Sequence, residues 1–115
     1  MNTLETLRNR HCTPRKGEGD ALSRERIDDH LAALEGWRLT ADGSGIEKVF
    51  RFPDFFHTMA FVNAVASIAH REDHHPDMEV HYDRCHIHYS THDVGGLSLN
   101  DFICAARVDD LQLPG

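Results

Sequence analysis

The 115-residue sequence predicts a two-layer α+β domain, with four antiparallel strands and three helices in the order α-β-β-α-β-β-α. Three observations predict it. Apolar residues alternate between helical spacing and period-two spacing along the chain. The period-two stretches come in pairs joined by short turns, as hairpins do. Each helical stretch is preceded by a residue suited to cap it.

The elements follow in order. Residues 1–21 hold few apolar side chains and run into the polar stretch RKGEGD, so they are expected to form a flexible N-terminal arm ahead of a domain spanning 22–115. Ser23 is placed as the N-cap of a first helix in which Ile27, Leu31 and Leu34 repeat at helical spacing, and Gly36 stops it. Trp37 to Thr40 and Ile46 to Phe52 flank the turn ADGSG and read as a hairpin. On its second strand Ile46, Phe50 and Phe52 share a face, with Lys48 as the exception. Pro53 ends that strand and Asp54 caps the longest helix. Phe55, Thr58, Met59, Val62, Val65, Ala66 and Ala69 give this helix an apolar stripe, and Pro76 requires it to end by about Asp73. Met78, Val80 and Tyr82, then Cys85, Ile87 and Tyr89, alternate on either side of an Asp83-Arg84 turn as a second hairpin. Ser98 and Asp101 have the spacing of a capping box, with Asp in place of the usual Glu or Gln, ahead of a last helix carrying Phe102, Ala105, Ala106 and Val108.

Composition narrows the function. Nineteen acidic against 12 basic side chains give a formal net charge of −7, which argues against binding nucleic acid through its phosphates. No apolar run is long enough to span a membrane, and the N-terminal segment lacks the apolar centre of a signal peptide, so a cytoplasmic location is expected. Cys12, Cys85 and Cys104 form no CxxC pair; Cys85 and Cys104 fall within strand and helix patterns as small core residues.

The chemistry concentrates between His70 and Asp101, where seven of the ten histidines lie. Histidine titrates nearest neutrality and serves as both proton donor and acceptor. His74 and His75 sit where the long helix runs into the third strand, and His92 follows the fourth. Antiparallel pairing of those two strands sets the start of one beside the end of the other, and so is expected to bring His92 near His74 and His75. The acidic neighbours of His74 and the helix start after His92 suggest the first as acid and the second as base. His81, His86 and His88 read as solvated or capping residues, with His86 and His88 on one strand face towards solvent or a neighbouring subunit. His70 and His74 stand i, i+4 on a helix and would suit a metal ion, but HExxH is absent and no acidic or Cys ligand accompanies them.

These residues resemble the pterin-4a-carbinolamine dehydratases. The resemblance is carried by Gly36-Trp37, by FRFPDF from Phe50 to Phe55, by DHHPD from Asp73 to Asp77, by Tyr82, and by STHDVGGLSLND from Ser90 to Asp101. It covers about residues 22–111. It implies helices packed on one face of the sheet, and an enzyme that dehydrates 4a-hydroxytetrahydropterin to quinonoid dihydropterin without metal or organic cofactor. That reaction recycles the pterin used by aromatic amino acid hydroxylases. Position by position, the family's active-site histidines fall on His74, His75 and His92, and its pterin-pocket positions on Trp37, Asp73, Ser90, Thr91 and Asp101. The chain departs from many members in carrying His70 where they have a carboxylate. It also reads Cys12-Thr13-Pro14-Arg15 where some have a CxxC. The resemblance further implies a homodimer or homotetramer. The alternative expectation is a non-catalytic oligomerising binding or regulatory partner using the same fold; some animal members of the family also act as dimerisation partners of a homeodomain transcription factor.

Overall fold

The computed structural model describes residues 2–111. Its elements are α1 (Thr3–Asn9), α2 (Arg24–Ala33), β1 (Arg38–Leu39), β2 (Ile46–Arg51), α3 (Phe55–Glu72), β3 (Asp77–Val80), β4 (Arg84–Tyr89) and α4 (Leu99–Asp109), with short 3-10 turns at Glu18–Asp20 and His92–Val94. The strands form one antiparallel sheet in the order β1-β2-β4-β3, so β4 is central and paired on both sides. The α+β class and the four-stranded antiparallel sheet agree with the sequence reading. The number of α-helices does not: there are four among the described residues.

Local chemistry starts and stops the helices. Ser23 accepts a hydrogen bond from the Arg26 amide at the head of α2, and Asp54 accepts one from the His57 amide at the head of α3. At the far end of α3, Asp73 takes the left-handed conformation (φ 51°, ψ 43°) and turns the chain into β3.

The core lies between β2 and β4 on one side and the helices on the other. Ile46, Cys85, Ile87 and Tyr89 from the sheet meet Phe61, Val65 and Ile68 from α3 and Phe102, Ile103 and Ala106 from α4, all buried. The buried face of α3 is Thr58, Phe61, Val65, Ile68, Ala69 and Glu72. This is rotated from the predicted stripe, whose Phe55 is 49% exposed. The first half of α3 is apolar nearly all round, so spacing alone did not select the inner face. Lys48, the exception on β2, lies above the Phe50 ring and reaches Asp109 Oδ1 at 3.0 Å, keeping its charge paired while its stem packs on the core.

The expectation of a flexible arm is corrected for residues 3–16. Helix α1 packs on α4 through Leu7, which is 2% exposed. The chain that follows is tied to the domain by polar side chains of α3 and α4. The Cys12 amide donates to Glu72 Oε1 at 2.7 Å, and the Thr13 amide and carbonyl bond the Asn100 side chain at 3.2 and 2.7 Å. Cys12 Sγ lies 3.6 Å from Cys104 Sγ, and both thiols are free. A seven-residue helix is marginal alone in water, so α1 owes its order to this docking.

Candidate active site

The pairing of β3 with β4 runs in the register Asp77 with His88 and Met78 with Ile87. Continued towards α3, that register sets His74 opposite Thr91 and His75 opposite Ser90. Beyond β4 the chain makes the 3-10 turn at His92–Val94. It reverses at Gly95 (φ 72°), a conformation most side chains resist, and closes an isolated bridge between Thr91 and Gly96. That bridge fixes Thr91 beside the start of α4.

Three of the predicted site residues, His74, Thr91 and Asp101, meet there. His74 Nε2 lies 2.6 Å from Asp101 Oδ1, and its ring stacks on Tyr89 with centroids 5.8 Å apart and planes 9° from parallel. Asp101 Oδ2 accepts from the Thr91 hydroxyl at 2.7 Å and from the Ser98 amide at 3.0 Å. Asp101 is fully buried. One carboxylate therefore closes the capping box of α4 and holds His74. Where Asp101 accepts from Nε2–H, the neutral His74 ring carries its proton on Nε2 and none on Nδ1.

His74, Thr91 and Asp73 line a cleft of about 380 Å³, together with Asp93, Glu72 and Asn100. The remaining wall is the arm from Cys12 to Lys16. Glu72 is buried; burial alone would raise its pKa. Hydrogen bonds from the Cys12 amide and the His11 ring, with the nearby Arg107 charge, outweigh burial and hold the carboxyl below its ordinary value.

The other predicted site residues are placed differently. His75 and His92 are exposed and do not line the cleft, and Ser90 is half-buried just past β4. Trp37 is a core residue. It is 6% exposed, packs edge-on to Phe50, and donates Nε1–H to Asp109 Oδ2 at 2.9 Å. It does not line the cleft. His86 bonds Glu47 at 2.8 Å and His88 lies 3.6 Å from Asp77, so both are cross-strand partners of acidic residues.

The description pterin 4 alpha carbinolamine dehydratase belongs to a family model that matches residues 20–111. The chain belongs to that family. A relative from Xanthomonas oryzae pv. oryzae (strain MAFF 311018), named "Putative pterin-4-alpha-carbinolamine dehydratase", is 56% identical over 115 residues, covering 100% of this chain and 98% of the relative. A relative of the same name from Xanthomonas campestris pv. campestris (strain 8004) is 56% identical over 111 residues, covering 96% and 94%. Among solved structures, a transcriptional coactivator/pterin dehydratase from Brucella melitensis superposes with a TM-score of 0.75 at 28% identity, over 77% of this chain and 95% of that one.

Within this pterin carbinolamine dehydratase family member, sequence reasoning missed the arm, Glu72 and Asn100 as parts of the cleft. A signal for Glu72 was present. It falls in step with Phe61, Val65 and Ile68 on α3, where a carboxylate needs a partner. Nothing local to residues 12–16 announces their place.

Proposed function

We propose that the chain dehydrates 4a-hydroxytetrahydropterin to quinonoid dihydropterin by histidine acid–base catalysis. In this reaction the C4a–O bond breaks as the hydroxyl takes up a proton and leaves as water. A ring nitrogen gives up its proton and forms the new C=N bond. Both transfers need groups that gain and lose protons near neutrality, and neither changes oxidation state.

The observation that carries the reading is the His74–Asp101 pair at the cleft wall. Asp101 orients the ring and offsets the positive charge it gains on protonation, so that His74 acts through Nδ1. To His75 and His92, both exposed, we assign the complementary proton transfer. Asp73, Ser90 and Thr91 offer hydrogen-bonding groups for the polar edge of a pterin. Family membership supports the substrate class. The proposal extends to a cytoplasmic homodimer or homotetramer that recycles the cofactor of aromatic amino acid hydroxylases.

The test is a dehydratase assay with the purified protein and its His74→Gln, His75→Gln and His92→Gln variants, each over a range of pH. Wild type should accelerate loss of the carbinolamine over buffer. His74→Gln should lose ~10²–10⁴-fold and the acid limb of the profile. An unchanged acid limb would reassign the acid to His75 or His92. The Brucella neighbour's name joins dehydratase to transcriptional coactivator, which supports a second reading as an oligomerising binding partner. A folded wild type with no acceleration over buffer would favour that reading.

A further inference from the structure

The arm from Cys12 to Lys16 lies outside the residues matched by the family model, yet it forms one side of the cleft whose other side carries His74. We propose that this arm is a substrate-binding wall, with Arg15 its specificity-determining residue. The inference deepens the dehydratase reading and rests on it.

Three features support it. First, the arm is anchored by buried polar groups of the domain. Glu72 and Asn100 are 8% and 5% exposed, and their side chains bond the backbone at Cys12 and Thr13. A buried carboxylate and amide spent on holding an adjoining segment impose one position on it. Second, the anchoring continues away from the cleft. Arg107 Nε bonds the Arg10 carbonyl at 3.0 Å, and Leu7 seats α1 on α4. Third, a flat heterocycle is desolvated only when both of its faces, or a face and an edge, are covered. Asp73, His74 and Thr91 line part of the cleft, and the five residues of the arm line much of the rest. Arg15 donates Nε–H to Asn100 Oδ1 at 3.2 Å, which orients a guanidinium with further donors at the cleft. Such a group suits the carbonyl and ring-nitrogen acceptors of a pterin. Proton transfer is not asked of it, so its effect falls on binding.

The experiment uses the full-length protein with Arg15→Ala, which alters the wall itself, and Arg107→Ala, which loosens the arm from outside the cleft. Steady-state kinetics are paired with binding of an unreactive dihydropterin, followed by fluorescence. Native trypsin digestion at Arg15 and Lys16 reports whether the arm has lifted in Arg107→Ala. The expected result is a rise of ~3–10-fold in both KM and the dihydropterin Kd for Arg15→Ala, with kcat and its pH profile nearly unchanged. Arg107→Ala should show faster nicking and a parallel rise in KM. An unchanged KM and Kd in Arg15→Ala, or in an Arg107→Ala arm that trypsin shows to be released, overturns the proposal. Wild type that binds the dihydropterin but turns nothing over overturns the dehydratase reading, while the Kd values still decide the arm. Wild type that neither binds nor turns over overturns both.

Discussion

His74 Nε2 lies 2.6 Å from Oδ1 of Asp101, a carboxylate with no solvent exposure whose second oxygen caps α4. Structure and chemistry therefore depend on the same group, and Asp101→Asn separates them. An Asn side chain offers one acceptor oxygen and one amide. Either His74, or the Thr91 hydroxyl with the Ser98 amide, then loses its acceptor. The variant should melt lower, by about 1–2 kcal/mol of stability, as expected for a damaged cap. Its kcat/KM should fall much further, by ~10²-fold or more, because His74 loses the carboxylate that fixes its tautomer. Urea titration and dehydratase kinetics on one preparation check both numbers. Equal, small losses would reduce Asp101 to a cap.

Trp37 gives the complementary prediction. Its indole N–H bonds Asp109, which also receives Lys48, and its ring meets Phe50 and Tyr89 in the core. Trp37→Phe keeps an aromatic body and loses the charge-assisted hydrogen bond. It should cost about 1–3 kcal/mol. KM for the pterin should stay within about twofold, because the indole does not border the cleft. A large rise in KM with unchanged stability would return Trp37 to the substrate site.

The fold was legible where its signals are local. Ser23, Asp54 and Ser98 cap the helices they were expected to cap, because a cap is decided within four residues of chain. The antiparallel pairing of the second hairpin followed from alternation around a short turn. What escaped was non-local. The arm reads as polar and loose because its order comes from Glu72 and Asn100, some 60 and 87 residues further along the chain. For Trp37, spacing offers no distinction between an indole in the core and one that stacks on a ligand; the deciding contact, Asp109, lies 72 residues away.

The anchor of the arm should respond to acid. Glu72 has its carboxyl held below the ordinary value by the bonds it accepts. A carboxylate whose folded pKa is depressed stabilises the fold above its unfolded pKa, and that contribution is lost as pH falls through the folded pKa. The arm should therefore stay docked at neutral pH and loosen below about pH 4.5. Amide exchange at Cys12, corrected for the intrinsic effect of pH, should show protection falling there. In Glu72→Gln the amide oxygen still accepts from Cys12, so the protection that remains should be insensitive to pH in that range.

His30 sets a second pH dependence with the opposite chemistry. Both ring nitrogens are buried without a hydrogen-bond partner among the described residues, and the ring packs on Phe102 at 5.1 Å. Burial, and then the Arg26 charge, push its pKa below the usual value. The unfolded chain takes up a proton near pH 6.5 that the folded chain refuses, so stability should decline as pH drops from about 6.5 towards the folded pKa. His30→Phe removes the titrating group while keeping an aromatic ring against Phe102. Denaturant midpoints between pH 7.5 and 5 should fall less steeply in this variant than in wild type. Parallel slopes would assign the dependence to other groups.

Asp73 sets stability against function at a single residue. It ends α3 in the left-handed region at φ 51°, where a side chain costs free energy that glycine does not pay, and it also lines the cleft beside His74. Asp tolerates this conformation better than most residues, so Asp73→Gly should stabilise the fold modestly, by about 0.5–1 kcal/mol at most. If the carboxylate binds the polar edge of the pterin, the same variant should raise KM several-fold while kcat changes little, because the His74–Asp101 pair is untouched. A residue kept only to end the helix would give the first effect without the second. A melting curve and a KM measured on Asp73→Gly, with Asp73→Asn as the shape-preserving control, distinguish a helix terminus from a binding group.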